Sequence, residues 1–214
     1  MNEEISNILL GASQMNKPII ERMWLHYSGT QRFFTFINAR KVLDFYESNA
    51  SEYAEKVVEF IYNYLIKRNV PDKEFTNDKN RCSSMGEYPC NVLERPSRYK
   101  KIIEKALANK GEKEAHYVVL KALVESYETN IGLCEIPIWS GNYATVGHID
   151  AIELYEGKGN PTIAILDFKP QLPNESFSGQ VQLYRYLFAE LLDIPLSEIA
   201  GGAFNNVQET MIVE

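Results

Sequence analysis

Two aspartates and a lysine stand in a pair of apolar segments that are typical of neighbouring β-strands. Asp150 lies in residues 144–155, and Asp167 and Lys169 lie in residues 161–169. A turn-rich stretch with two glycines joins the segments, so they are predicted to form a hairpin. If the hairpin is symmetric about this turn, Asp150 faces Asp167 directly and Lys169 points to the same face.

Facing carboxylates need an explanation in a hairpin that is otherwise rich in Ile, Leu and Ala. Facing Cβ atoms are about 5 Å apart, and like charges at that separation destabilise a sheet. A divalent cation or the Lys169 ammonium would offset the repulsion between Asp150 and Asp167. We interpret the three residues as a catalytic arrangement, with a structural cation site in an unrelated α/β protein as the alternative.

The elements around this hairpin predict a mixed α/β fold in two parts. Residues 1–96 are predicted to be a helical N-terminal region, with helices at 32–47 and 51–67 and a long loop or lid at 71–97. Residues 97–214 are predicted to be an α+β core with a mixed sheet. Its expected elements are helices at 97–108 and 112–127, strands at 133–139, 144–155 and 161–169, a helix from Ser176 or Ser178 to Leu192, and strands at 200–205 and 209–213.

The bulk composition excludes several classes of protein. The chain has 214 residues, 45% of them hydrophobic, which is enough for a sizeable core. Its first residues lack the layout of a signal peptide, and no apolar run is as long as a membrane span, so we expect a cytoplasmic, intracellular protein. Cys82, Cys90 and Cys134 form no CxxC pair, which favours reduced thiols over a zinc site, with a Cys82–Cys90 disulfide as the alternative.

Three motifs occur in a recognisable order in the second half of the chain. Gly147-His148-Ile149-Asp150 is followed by Asp167-Phe168-Lys169, and then by Gln180 and Tyr184 at i and i+4 on the next predicted helix. This order resembles the PD-(D/E)XK nuclease superfamily, and within it the RecB-like branch, over residues 111–190. That branch includes CRISPR-associated exonucleases, recombination nucleases and small nucleases of archaeal viruses. An alternative is therefore that this chain is a virus-encoded protein that acts in the host cell.

The resemblance implies a restriction-endonuclease-like core and a metal-dependent deoxyribonuclease. Such an enzyme hydrolyses phosphodiester bonds with Mg²⁺ or Mn²⁺, in replication, recombination or repair, and its DNA substrate could be single-stranded or branched. Asp150 and Asp167 would hold the metal together with the backbone carbonyl of Phe168. Lys169 would orient or help to deprotonate the attacking water.

Further roles follow from the same resemblance. Gln180 and Tyr184 would position the nucleic-acid strand or support Lys169. The branch uses one more ligand before or within the first core strand, for which His116 leads and Glu135 and Glu125 are alternatives. His148 would bind phosphate or simply pack.

Other features limit or extend this interpretation. Iron–sulfur members of the branch use four cysteines, most of them after the Gln-Tyr helix; because no cysteine follows Cys134, we expect no cluster. A catalytically inactive nuclease-fold module that binds nucleic acid or assembles with partners is the alternative function. Residues 1–96 fall outside the resemblance and could form a DNA-facing cap, a homo-oligomer surface or a partner platform.

The charge and the aromatic residues bear on how DNA would be bound. A net charge of −7 excludes a protein that coats DNA through general electrostatics, although a metal site supplies its own positive charge. A basic strip is a candidate DNA contact or, alternatively, a solvated helix face: Lys79, Arg81, Arg95, Arg98, Lys100, Lys101 and Lys105. Several N-terminal aromatic residues could stack on unpaired bases or belong to the core: Tyr27, Phe33, Phe34, Phe36, Phe45, Tyr46 and Tyr53.

Overall fold

The chain forms six α-helices and one eight-stranded sheet over the residues that the structure describes. A computed structural model describes residues 3–16, 18–25, 32–49, 51–67, 82, 85–109, 111, 114–140, 145–157, 161–171 and 177–213. The helices are α1 (Glu3–Ser13), α2 (Ala39–Asn49), α3 (Glu52–Phe60, continued by a π-helix at Ile61–Ile66), α4 (Lys100–Ala108), α5 (Ala115–Glu125) and α6 (Phe177–Leu192), and a 3₁₀ turn lies at Leu196–Glu198. The strands are β1 (Ile19–Leu25), β2 (Arg32–Asn38), β3 (Asn91–Pro96), β4 (Ile131–Ser140), β5 (Thr145–Leu154), β6 (Ile163–Phe168), β7 (Ile199–Phe204) and β8 (Gln208–Val213).

The strand order in the sheet is β1-β2-β4-β5-β6-β7-β8-β3. β6 and β7 are parallel and connected through α6, whereas the other neighbours are antiparallel. The predicted order of helices, three strands, helix and two strands after residue 97 is confirmed, and so is the mixed α/β class. Among these elements, no helix is long and apolar enough to cross a membrane.

The prediction of a helical N-terminal region is wrong for two segments, because β1 and β2 belong to the sheet. The segment Arg32–Asn38 is rich in Phe, and its apolar spacing suits a helix as well as a strand. Pairing decides in favour of a strand, since β2 pairs with β1 along its length and with β4 at Phe36 and Ile37. Only the part of the predicted helix at 32–47 that follows Asn38 is helical.

The predicted loop at 71–97 also ends earlier than expected. Residues 91–96 pair with β8 as an edge strand, and residues 85–90 run without regular structure before them. Residues 71–81 lie outside the described part of the chain. Ser51 caps α3 as predicted, because its hydroxyl accepts the backbone N–H of Ala54.

Two apolar cores lie on opposite faces of the sheet. Along β6, Ile163 and Ile165 face one core, whereas Ala164, Leu166 and Phe168 face the other. The first core is covered by α1, α2, α3 and α6, and the second by α4 and α5. Because residues before and after position 96 share the sheet and both cores, the two predicted parts of the chain pack as one body.

Candidate metal centre

The predicted hairpin register is confirmed by the pairing of β5 and β6. Ala151 pairs with Leu166 and Leu154 pairs with Ile163. Continuing this register by one step places Asp150 opposite Asp167. The β5–β6 pairs end at Ala151 and Leu166, whereas β6 continues to pair with β7 as far as Phe168. The two aspartates therefore lie where β5 and β6 separate.

β4 and β5 both turn over at this level of the sheet. Cys134 pairs with Ala151 in the core under α5, whereas Ile136 pairs with Ile149 in the opposite core. In a regular strand, residues i and i+2 face the same side of the sheet. Cys134 and Ile136 of β4 instead face opposite cores, so the change of face occurs at the residue between them.

That residue on β4 is Glu135, which has a φ of 55° and lies opposite Asp150 in the register. Left-handed backbone is costly for a residue other than glycine and is found mainly where a site requires it. The Thr35 hydroxyl donates a 2.7 Å hydrogen bond to the Glu135 carbonyl oxygen and supports this conformation.

Three side chains of ligand type converge where the strands turn over. One ligand atom from each of His116, Glu135 and Asp150 lies within 4.8 Å of the other two. His116 Nε2 is 3.0 Å from Asp150 Oδ2, and the Phe168 backbone N–H donates to the same oxygen at 2.7 Å. We call His116, Glu135 and Asp150 the acidic-histidine triad.

His116 lies in the first turn of α5 and reaches the other two residues of the triad from there. The helix packs against the sheet through Val119, Leu120 and Leu123, which are fully buried. The His116 ring also makes an edge contact with the Phe168 ring, at 5.3 Å between centroids. The Phe168 ring and the Asp150 carboxylate therefore hold the imidazole from two directions.

A second group of side chains joins the triad from the α6 side. Lys169 Nζ lies 2.6 Å from Asp167 Oδ2, in an ion pair whose angles fall outside hydrogen-bond geometry. The same ammonium donates to Gln180 Oε1 at 3.2 Å, and Gln180 Nε2 donates to the Tyr184 hydroxyl at 2.9 Å. The predicted i, i+4 pair on α6 thus forms a hydrogen-bonded chain that ends on Lys169.

Burial and mutual repulsion disturb the protonation of these groups. Burial and the charge of Asp150 raise the pKa of Asp167 to about 7, although Lys169 opposes the shift. Burial and Asp150 likewise raise the pKa of Glu135 to about 8. Burial alone would lower the pKa of His116, but the hydrogen bond to Asp150 and the surrounding carboxylates raise it to about 9. The site therefore carries an excess of carboxylates that attracts positive charge.

The donor set suits a divalent cation. It offers two carboxylates and one imidazole, and Asp167 adds a buried carboxylate oxygen that makes no hydrogen bond within the described residues. Carboxylate oxygens suit Mg²⁺ and Mn²⁺, and an imidazole nitrogen is accepted more readily by Mn²⁺ and later metals. The side chain of His116 is 37% exposed, against 11% for Asp150, so an ion or substrate can approach from the His116 side.

The structure sorts the predicted site residues into these two groups. His116, Glu135 and Asp150 form the triad, whereas Asp167 lies with Lys169. Metal binding by the triad, by Asp167 and by the Phe168 carbonyl stays a prediction. The Phe168 contact with Asp150 is made by the backbone N–H and not by the carbonyl that the resemblance implied as a ligand.

The alternative ligands lie elsewhere. Glu125 is exposed at the C-terminal end of α5, on the opposite end of the helix from His116. His148 is half-buried on β5 opposite Pro137. Glu135 and Glu125 were both left as alternatives by the sequence; the signal that could have separated them is that Glu135 is the lone acidic residue in the apolar run of β4.

A short segment that the motifs did not indicate packs along α6. We call residues 85–90 the strap. The Ser178 hydroxyl accepts the Tyr88 N–H at 2.7 Å and donates to the Tyr88 carbonyl oxygen at 3.0 Å. A Cβ on Gly179 would lie 1.8 Å from the Gly86 carbonyl oxygen, so only glycine fits there. The strap therefore borders the end of the site formed by Gln180.

The glycine of the first motif has a similar explanation. A Cβ on Gly147 would lie 2.7 Å from Tyr184 Cε1 and 3.0 Å from Cys82 Sγ. Gly147 thus makes room for the Tyr184 ring, and Cys82 fills the space beside it. Glycine at this position connects the first motif to the third through packing alone.

Two arginines of the basic strip have structural roles, whereas Lys100, Lys101 and Lys105 are exposed on α4. Arg95 and Arg98 form ion pairs with the buried Glu209, and Arg98 also pairs with the buried Glu153. Lys79 and Arg81 lie outside the described residues. All three cysteines are free, so the alternative of a Cys82–Cys90 disulfide is wrong.

Comparisons with known proteins give no relative on which to rest a function. No protein-family model, no curated protein and no solved structure matches the chain. The case for a function therefore depends on the geometry of the site.

Proposed function

We propose that this protein is a divalent-metal-dependent nuclease that hydrolyses phosphodiester bonds in DNA, with a PD-(D/E)XK core of the RecB-like kind. The observation that carries the proposal is the meeting of the His116–Glu135–Asp150 triad with the Asp167–Lys169 pair where β5 and β6 separate. A packing role does not account for so many charged groups in one half-buried place, because each costs free energy to bury.

The triad would hold Mg²⁺ or Mn²⁺. When bound, such an ion lowers the pKa of a coordinated water and neutralises charge that develops on the phosphate. Glu135 and Asp150 supply the anionic oxygens and His116 supplies a nitrogen once it has lost its proton. Burial and, after it, repulsion from Asp150 raise the pKa of Glu135 to about 8, and a cation would relieve the repulsion.

Lys169 is the residue that we assign to the attacking water. Its ammonium is held between Asp167 Oδ2 at 2.6 Å and Gln180 Oε1 at 3.2 Å, so its direction is set from two sides. Its side chain is still 35% exposed and can reach a substrate. Tyr184 acts on Lys169 indirectly, because its hydroxyl fixes the Gln180 amide.

A cleavage assay tests the proposal. Labelled single-stranded, linear duplex, circular and branched DNA are incubated with the protein and Mg²⁺, Mn²⁺ or EDTA. We expect cleavage with metal, none with EDTA and none by Asp150→Asn, while Glu125→Gln, an exposed carboxylate on the same helix as His116, retains activity. Cut circles would identify an endonuclease, and resistant circles an exonuclease.

The alternative function, an inactive nuclease-fold module, makes the opposite prediction in the same assay. It binds DNA but leaves every substrate intact with either metal. Cleavage that persists in purified, folded Asp150→Asn and Lys169→Ala variants would overturn the proposed mechanism.

A further inference from the structure

A half-buried pair of aromatic rings lies beside the exposed end of the triad. Tyr117 follows His116 on α5, and its ring makes an edge contact with Phe34 of β2, at 5.7 Å between centroids. Both side chains are partly exposed, whereas Phe36, which also contacts Tyr117, is fully buried. We call Phe34 and Tyr117 the aromatic pair.

The aromatic pair lies where the β1–β2 hairpin separates from β4, although β4 itself continues to Ser140. β2 pairs with β4 only at Phe36 and Ile37, whereas its pairing with β1 continues from Asn38 to Arg32. Phe34 therefore stands on the free part of this hairpin, opposite Met23, which is 41% exposed. Thr35, next to Phe34 on the same hairpin, donates its hydroxyl hydrogen bond to the Glu135 carbonyl oxygen, so the apolar surface of the hairpin adjoins the triad.

The charged side chains near the aromatic pair offset each other, so the rings are the main feature by which this surface recognises a ligand. Lys121 Nζ lies 5.7 Å from the centroids of the Tyr117 and Phe36 rings. Its ammonium is also 3.6 Å from Glu21 Oε2, so the local charge is not strongly positive. Because Lys121 is already paired with Glu21, a ligand of this surface is recognised mainly through flat, stackable groups and not through its charge.

We propose that the aromatic pair binds an unpaired base of the DNA strand next to the phosphate that is cleaved, and so selects single-stranded DNA. This inference rests on the proposed nuclease function. Bases stack on aromatic side chains in a sequence-tolerant way, whereas bases inside a duplex have no free face to offer. Among the described N-terminal aromatic side chains that the sequence suggested for stacking, Phe34 is the one near the site. Phe36 and Phe45 are buried in the cores, and Tyr46 and Tyr53 pack against the first core. Tyr27 and the side chain of Phe33 lie outside the described part of the chain.

Binding in the absence of cleavage tests the inference. The probes are a fluorescent oligothymidylate, an abasic oligonucleotide of equal length and a blunt duplex, each titrated in EDTA and followed by anisotropy. We expect Tyr117→Leu, which keeps an apolar side chain but no ring, to weaken oligothymidylate binding about tenfold or more. Tyr117→Phe keeps the ring and should bind normally.

Matched controls separate stacking from general damage. Tyr127→Ala removes a tyrosine that is 65% exposed beyond the other end of α5, and it should leave binding unchanged. Binding of the abasic strand should be equally weak in every variant. Equal oligothymidylate affinities for the wild type and Tyr117→Leu, or an equal loss on the duplex, would overturn the inference.

The two proposals fail separately. If the protein cleaves DNA with Mn²⁺ but the wild type and Tyr117→Leu bind oligothymidylate equally well, the nuclease function stands and the aromatic pair is not its strand contact. A protein that cleaves nothing but needs the Tyr117 ring for single strands retains the strand contact and loses the nuclease function.

Discussion

Glu135 lies opposite Asp150 at the level where β4 and β5 change the face that they present to each core. The left-handed φ of Glu135, 55°, accompanies this change and allows its carboxylate to join Asp150 and His116. Local backbone strain thus coincides with the largest accumulation of acidic groups in the described residues. Such strain persists where the surrounding structure compensates for it, as it does at many functional sites.

The triad predicts that divalent metal stabilises the folded protein. At a free concentration of about one hundred times Kd, a ligand adds about 3 kcal/mol to the free energy of unfolding. We expect MnCl₂ to raise the thermal midpoint of the wild type and to leave that of Asp150→Asn unchanged. In EDTA, Asp150→Asn loses a hydrogen bond, but it also loses the repulsion of Asp150 with Glu135 and Asp167. Its free energy of unfolding should therefore fall by no more than the loss of one hydrogen bond would cause.

Differential scanning calorimetry with and without metal checks this prediction. Glu135→Gln should behave like Asp150→Asn, and Glu125→Gln should behave like the wild type. An equal rise of the midpoint in all four proteins would place metal binding elsewhere in the chain.

The sequence predicted the site better than it predicted its surroundings. The register of β5 and β6 followed from a symmetric turn, because the position of the turn in a hairpin determines which residues of the two strands face each other. The i, i+4 relation of Gln180 and Tyr184 followed from helix geometry in the same way. These are local relations, and local relations can be read from spacing.

Long-range relations could not be read in this way. The strand Arg32–Asn38 was predicted as helix because its apolar spacing fits either structure, and its partner β1 was missed with it. Its second partner, β4, lies about 100 residues away in sequence and leaves no local mark. The change of face at Glu135 was hidden because Ile131–Ser140 is apolar almost throughout and shows no alternation. The contact of the strap with Ser178 likewise joins segments that no periodicity connects.

The hydrogen-bonded chain on α6 predicts graded losses of activity. Lys169→Ala removes the group at the water and should reduce cleavage by about 10²-fold or more. Gln180→Leu leaves Lys169 with Asp167 alone and should cost less, and Tyr184→Phe, which only frees the Gln180 amide, should cost least.

Single-turnover cleavage of labelled DNA measures these rates. The pH–rate profile separates the residues, because a change of Lys169 orientation shifts the profile whereas a purely structural defect lowers it uniformly. A Tyr184→Phe variant that is as defective as Lys169→Ala would contradict the order that we expect.

The contact of Gly179 with the strap predicts that alanine is harmful at a helical position where it is ordinarily favourable. In an exposed helix, Gly→Ala stabilises by roughly 1 kcal/mol. At Gly179 the new Cβ would meet the Gly86 carbonyl oxygen, which is backbone and cannot rotate away, so the strap must shift. We expect Gly179→Ala to lose cleavage activity and to make residues 85–90 more sensitive to protease.

Gly11→Ala is the matched control for this substitution. Gly11 also lies inside a helix, but a Cβ there would meet nothing within 4 Å. It should therefore raise the free energy of unfolding and leave both activity and proteolysis unchanged. If Gly179→Ala were equally benign, the strap would not be fixed against α6.

A buried lysine outside the triad predicts a stability that depends on pH. Lys41 is 9% exposed, and its ammonium donates to the Leu123 and Ile131 carbonyl oxygens and to the Thr129 hydroxyl. Burial lowers the pKa of Lys41 to about 8, against 10.5 for an ordinary lysine. Between these pH values the folded chain has released a proton that the unfolded chain still holds, so stability rises with pH.

Chemical denaturation of the wild type and Lys41→Met between pH 7.5 and 10.5 measures this effect. Methionine has a similar length and no charge, so subtracting its free energy of unfolding removes the contribution of other titrating groups. We expect the difference to shift in favour of the wild type by at most about 3 kcal/mol across this range. Lys100→Met, at an exposed position, controls for the loss of a surface lysine. A difference that stays constant with pH would mean that the three oxygen acceptors hold Lys41 in its charged form and offset its burial.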